Sequence, residues 1–234
     1  MKEFSRFAYV YNRYNTIQKQ VAQTLAKRVV PRAYDTIIDI GCGSGALYHQ
    51  LQKEHVSMKS FIALDSSEEM LKIHPESTKI IKYCKNFDAD DAFEAIPSSL
   101  DTLVLSSSAL QWSQDLDKLF YKLSQLGQSA YFAIFTANTF KTLHETAKIK
   151  SPIYTVETLQ NTIVKYYETN FELKQYRLYF DTKKEMFTYI KKSGVSGGKR
   201  QLSYLQIKRL MENYPLDYLE FEVLFVSATS STIK

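Results

Sequence analysis

Apolar residues recur at steps of three and four through the opening segment, at Phe7, Val10, Tyr14, Ile17, Val21 and Leu25. That spacing predicts one helix or two consecutive ones, ended by Pro31. Short apolar runs then alternate with helical patterns, the sign of parallel strands joined by right-handed crossovers. Strands are predicted at 36–40, 60–64, 79–84, 102–106 and 130–135, with helices near 46–54, 68–73 and 116–126. The last third departs from simple alternation. Helical patterns at 140–148 and 156–166 precede strands at 171–180 and 218–228, and helical stretches at 184–192 and 204–213 lie between those two strands. The intervening 181–217 is far longer than the roughly two to five residues of a hairpin loop, so it is expected to act as a helical lid over the ligand end of the sheet. The pattern predicts an α/β fold with a doubly wound, mostly parallel sheet. One domain is expected over 1–234, comprising an N-terminal helical segment (1–34), a ligand-binding half (35–136) and a second half (137–234) that carries the insertion.

Composition narrows this picture. With 44% hydrophobic and 24% charged residues in 234, the chain has the makeup of an ordinary globular protein. Cys42 and Cys84 are too few for a disulfide framework, and no pair among His49, His55, His74 and His144 has metal-ligand spacing. A reducing compartment and no metal are expected. No apolar run reaches 18 residues and the N-terminus has no apolar signal core, so neither a membrane partner nor export is expected and the location is read as cytoplasmic.

The net charge of +5 is unevenly placed. Residues 4–34 hold six cations and no acid, and 191–209 repeat this with Lys191, Lys192, Lys199, Arg200, Lys208 and Arg209. Outside these two segments, 18 cations face 25 acids. The two runs are either solvated helix faces or a surface for an acidic macromolecule. Neither contains a helix-turn-helix, zinc-finger or RNP signature, so a nucleic-acid partner is not expected.

Glycine is scarce at seven residues, yet Gly41, Gly43 and Gly45 fall within five positions. They close the first predicted strand and open a helix, which is where open α/β sheets bind ligands. Side chains at 41 and 43 would block close approach of a ligand, and Gly45 lets the helix N-terminus pack tightly. Asp65 ends the second strand, placed for both hydroxyls of a ribose. Gly41-Cys-Gly-Ser-Gly-Ala46 also satisfies the dinucleotide fingerprint, but Asp39, two residues before the turn, would repel a pyrophosphate and suits a ligand with an ammonium and a sulfonium. S-adenosylmethionine is such a ligand. The alternative for Asp39 is a buried acid capping local amides. Asp88 is placed to accept from an adenine amino group, or else forms a turn, and Phe87 or Leu64 supplies an apolar face. Ser106, closing the fourth strand, completes the expected cofactor-binding set.

Asp39-Ile-Gly-Cys-Gly-Ser-Gly45 resembles the first motif of the seven-stranded, Rossmann-like S-adenosylmethionine-dependent methyltransferases, and that resemblance implies an antiparallel last strand. A narrower resemblance lies outside this half. Phe4-x-Arg6-x-Ala8-x-x-Tyr11 followed by Gln18, Ser107-Ser-Ala-Leu-Gln-Trp112, Tyr189-Ile-Lys-Lys-Ser-Gly194, Tyr214-Pro215 and Phe221-Glu-Val-Leu-Phe225 are similar to the malonyl-[acyl-carrier protein] O-methyltransferases of biotin synthesis. Trans-aconitate methyltransferases share Leu110-Gln-Trp112, and Asn15 stands where the family usually has Ala. The resemblance implies a carboxyl O-methyltransferase whose partner is an acyl carrier protein bearing a malonyl thioester. Its acceptor would be positioned by Gln111 and Trp112 and by a cation among Arg6, Arg177 and Arg200. Tyr11 and Gln18 would close the cofactor pocket, and the 191–209 cations would dock the carrier. The alternatives are a methyltransferase for a small free acid and a non-catalytic protein that keeps the fold.

Overall fold

A computed structural model of the chain describes residues 14–97, 99–192 and 202–232. Seven strands, β1 (Ala33–Ile40), β2 (Ser57–Asp65), β3 (Ile80–Cys84), β4 (Ser99–Ser107), β5 (Gly127–Phe135), β6 (Tyr167–Tyr179) and β7 (Tyr218–Ser230), form one sheet in the order β3-β2-β1-β4-β5-β7-β6. The first five are parallel, and β7 runs antiparallel to both β5 and β6. The fold is therefore the doubly wound, mostly parallel sheet that the alternation predicts. The order of the strands reverses between β1 and β4, and this places the ligand crevice at the carboxyl ends of those two.

The described helices are α1 (Thr16–Ala26), α2 (Ala46–Lys53), α3 (Glu68–Ile73), α4 (Leu116–Ser124), α5 (Lys141–Ala147), α6 (Val156–Ile163), α7 (Lys183–Lys192) and α8 (Tyr204–Asn213). Strand periodicity divides the core into two layers. Ile37, Phe61, Leu103 and Phe135 pack on one face of the sheet, with α1, α2, α5, α7 and α8. Their strand neighbours Ile38, Ile62, Val104 and Ile134 face the other way, onto α4 and α6. Both faces are covered, so the central strands read in sequence as nearly unbroken apolar runs. Their outer ends are exposed and paired all the same, as in Ala33 opposite Ser57, which is why several strands run longer than the apolar signal.

The central residues 193–201 of the insertion at 181–217 lie outside the described ones. Its described part packs beside the start of β7, where Val223 lies opposite Phe135 at the carboxyl end of β5. Met186 and Tyr189 on α7 and Leu210 on α8 are buried in the same layer as Phe221 and Val223 of β7. Tyr214 donates its hydroxyl to the Tyr218 carbonyl at 3.0 Å, and the Lys192 ammonium donates to the Tyr14 hydroxyl at 3.1 Å. The apolar stripes of these two helices complete the core beside β7. Lys199 and Arg200, with Gly194, lie outside the described residues, as do Arg6 and Tyr11. Among the described residues no helix is long and apolar enough to cross a membrane, and no cluster of His, Cys, Asp or Glu could hold a metal.

Candidate functional site

The β1–α2 connection carries the site. Its three glycines all adopt positive φ: +70° at Gly41, +53° at Gly43 and +83° at Gly45. A Cβ on Gly41 would sit 2.3 Å from the Ala109 Cβ, so the turn packs directly on the segment that follows β4. A Cβ on Gly43 would meet nothing within 4 Å, because that position opens onto a cavity. Gly45 caps α2 and would strike the Pro75 ring at 2.4 Å, in keeping with the tight helix packing expected there.

The cavity is about 310 Å³, within the roughly 300–1,000 Å³ usual for small-ligand pockets. Asp65 braces its rim. One carboxylate oxygen accepts the Gly43 N–H at 2.9 Å and the other the Ser67 N–H at 2.8 Å, and each keeps lone-pair capacity for a hydroxyl donor. Burial raises the Asp65 carboxyl above its ordinary value, against the pull of those amides. Asp39, 1% exposed, lines the floor with Oδ2 unpartnered. Burial first, and the Asp65 charge second, push its carboxyl up to about 8. An unpaired buried acid of this kind is stabilised as the anion only when a cation reaches it.

This donor set fits S-adenosylmethionine. Asp39 offers a buried carboxylate for an ammonium, Asp65 faces where a ribose diol would lie, and Phe87 presents an apolar wall. The turn at Gly43 leaves open space where a side chain would intrude. Gln18 on α1 lines the cavity with Oε1 unpartnered, and the half-buried Trp112 lines it too. Asn15, the residue that departs from the resembled family, is also in the wall.

Other expected site residues stand elsewhere. The Asp88 carboxylate already accepts from the Ser113 hydroxyl at 2.7 Å and the Gln114 N–H at 3.1 Å, so it clamps the segment after β4 and is not part of the cavity lining. The Ser106 hydroxyl donates to the Ile40 carbonyl at 2.7 Å and is fully buried, tying β4 to β1. Gln111 is buried behind the wall, its amide donating to the Ser108 carbonyl at 2.7 Å. Arg177 lies exposed on edge strand β6, stacked 5.0 Å over the Tyr218 ring, and does not line the cavity. Among the described residues that line it, none is Lys, Arg or His. Five serines also line it, Ser44, Ser66, Ser67, Ser107 and Ser108, and none was singled out in the sequence as a ligand contact. Their place in the glycine turn and at or just past the ends of β2 and β4 was the available signal.

Comparison with known proteins bears on family and fold. The family described as "Methyltransferase domain" matches residues 32–194. Over 88% of this chain and 83% of its own length, a Priestia megaterium malonyl-[acyl-carrier protein] O-methyltransferase is 28% identical. A protein of the same name from Anoxybacillus flavithermus is 29% identical over 61% of this chain, a match that spans only 55% of that relative. The YcgJ protein of Bacillus subtilis superposes with a TM-score of 0.64 at 12% identity, covering 90% of this chain and 98% of that one. A Haemonchus contortus phosphoethanolamine N-methyltransferase 2, solved with S-adenosyl-L-methionine, superposes at 0.59 with 14% identity, over 96% of this chain and 57% of its own. These two likenesses establish the fold.

Proposed function

Because the chain belongs to the methyltransferase-domain family, we propose that it transfers a methyl group from S-adenosylmethionine to the free carboxylate of a malonyl thioester held on acyl carrier protein. The observation that carries the acceptor is the match to the Priestia relative across most of both chains. The resembled family places this ester at an early step of biotin synthesis, and the same reading makes acyl carrier protein the partner and the cytoplasm the location.

Bound S-adenosylmethionine supplies an electrophilic methyl on a sulfonium. The chain's own task is binding and exclusion of water. Asp39 would hold the ammonium, Asp65 the ribose hydroxyls, and Phe87 the base. The malonyl carboxylate, with a pKa near that of Glu at about 4.3, is anionic at neutral pH. No general base is required of the protein, which accords with a cavity wall whose ionisable groups are Asp39, Asp65 and the buried Cys42 thiol, itself held protonated by burial. The Gly41–Ala109 contact brings the cofactor turn against the Ser107–Trp112 segment, where the acceptor would enter.

The second reading, methylation of a small free acid, draws support from the N-terminal basic segment, two of whose cations pair within the chain, Arg28 with Glu172 and Arg32 with Asp101. One experiment decides between them: mass spectrometry of malonyl-acyl carrier protein incubated with protein and S-adenosylmethionine. The expected product is about 14 Da heavier, by replacement of one proton with methyl. An unchanged carrier, alongside methylation of a free dicarboxylate, would establish the second reading instead.

A further inference from the structure

Beyond the cofactor contacts, the wall on the β4 side holds two hydroxyls without work. Ser107 and Ser108 line the cavity, and the Oγ of each is buried with no hydrogen-bond partner. Buried polar groups are ordinarily paired, so two adjacent orphans in the wall of one cavity call for a ligand. The backbone adds a second observation. Ser108 sits at φ +65°, a left-handed conformation unfavourable for a residue with a side chain, and is the non-glycine residue with positive φ in the described lining. Strain of this kind persists where the surroundings over-determine it and concentrates at ligand sites. Here they do: the Ser108 N–H donates to the Ala133 carbonyl at 2.8 Å, and the Ser108 carbonyl accepts the Gln111 amide at 2.7 Å.

The position matters as much as the chemistry. In the sheet order, β2 with Asp65 lies to one side of the glycine turn and β4 with Ser107 to the other. The ribose end of the cofactor belongs to the first side, which leaves the serine pair on the side of the reacting groups. The described lining there has no cation to meet an acceptor carboxylate.

We propose that Ser107 and Ser108 form the acceptor's carboxylate subsite, donating their hydroxyls to its oxygens, with Gln111 as the positioning residue that holds Ser108 in place. Hydroxyl donors hold an anion by directed bonds without neutralising it, so the carboxylate would keep its nucleophilicity. This rests on the carboxyl-methylation reading above, but it concerns binding and can be tested apart from turnover.

The test titrates protein loaded with S-adenosylhomocysteine against malonyl-pantetheine and against acetyl-pantetheine, which lacks the carboxylate. The expected result is at least tenfold preference for the malonyl compound, about the value of one hydrogen bond to a charged group. Ser107→Ala and Ser108→Ala should each cut that preference severalfold, and Ser107→Thr, which keeps a hydroxyl at a strand position of ordinary backbone conformation, should retain it. S-adenosylhomocysteine affinity should stay unchanged in all three, which separates loss of the subsite from loss of the fold. A preference that survives in the Ser107→Ala/Ser108→Ala double variant, or one absent from the unaltered protein, would overturn the subsite. If the preference is present but malonyl-carrier protein is not methylated, the subsite stands and the proposed reaction falls.

Discussion

At Asp39 burial changes the charge that the sequence pattern implies. Read from sequence, its carboxylate repels a pyrophosphate. In the structure burial pushes the carboxyl up to about 8, so near neutral pH it holds a proton until a cation draws it off. Folding with a raised pKa adds stability that is complete below the ordinary carboxylate value and fades as pH climbs through about 8. Buried His74, lowered to about 4, has the opposite sign: its contribution is complete above the ordinary imidazole value and is lost as pH falls. The window from pH 6.5 to 8 therefore reports Asp39 with its neighbour Asp65. Urea unfolding of the unaltered protein should show a loss of about 1–2 kcal/mol across that window, and Asp39→Asn should flatten it. Parallel profiles for the two proteins would contradict the assignment. The glycines separate in the same way by what surrounds them. Gly43→Ala meets no atom within 4 Å, so its cost to stability is the left-handed backbone alone, about 1–2 kcal/mol. Its methyl would still enter the cavity, and S-adenosylmethionine affinity by calorimetry should fall at least tenfold. Gly41→Ala, with its Cβ 2.3 Å from that of Ala109, should lose stability as well as affinity.

Among the elements, α7 and α8 show what a sequence pattern leaves open. Their helical periodicity was readable and their positions at 183–192 and 204–213 match expectation closely. What their apolar stripe packs on was not readable, because a stripe specifies burial but not the partner. Met186 is fully buried against the layer that includes Phe221. Met186→Ala should therefore cost about 2–5 kcal/mol in chemical unfolding, while cofactor affinity of the folded fraction stays unchanged. A variant of full stability would contradict that packing. Strands were more legible because both sheet faces are buried, which gives the runs at Phe61–Leu64 and Leu103–Leu105 a continuous apolar character. Asp39, Asp65, Phe87 and the glycines follow from the same local logic, since position at a strand's end fixes them. Asp88 and Ser106 do not. Each is satisfied by a partner distant in sequence, Ser113 for one and the Ile40 carbonyl for the other, and such pairings depend on the folded topology.

At the scale of the whole molecule, the two basic segments are not equivalent. Two of the N-terminal cations are committed within the chain: Arg28 pairs with Glu172 at 2.5 Å while stacking over Phe225, and Arg32 pairs with Asp101 at 3.0 Å. In the second segment Lys192 is engaged with Tyr14, whereas Lys191, Lys208 and Arg209 are exposed. On α8, Lys208 and Arg209 lie one turn from Tyr204 and Leu205, which are 72% and 65% exposed. A basic pair beside apolar side chains suits the acidic, amphipathic surface expected of a carrier protein, and it concentrates the docking reading on this helix. Rim charges act through encounter and are screened beyond about 8 Å at physiological ionic strength. Charge reversal by Lys208→Glu with Arg209→Glu should therefore raise the KM for malonyl-carrier protein severalfold at low salt, with the difference shrinking as salt is added. The KM for malonyl-pantetheine should not move, because that substrate needs the cavity alone. Equal effects on both substrates would mean that the helix supports the fold of the site, and the exposed face of α8 would then have no part in recognising the carrier.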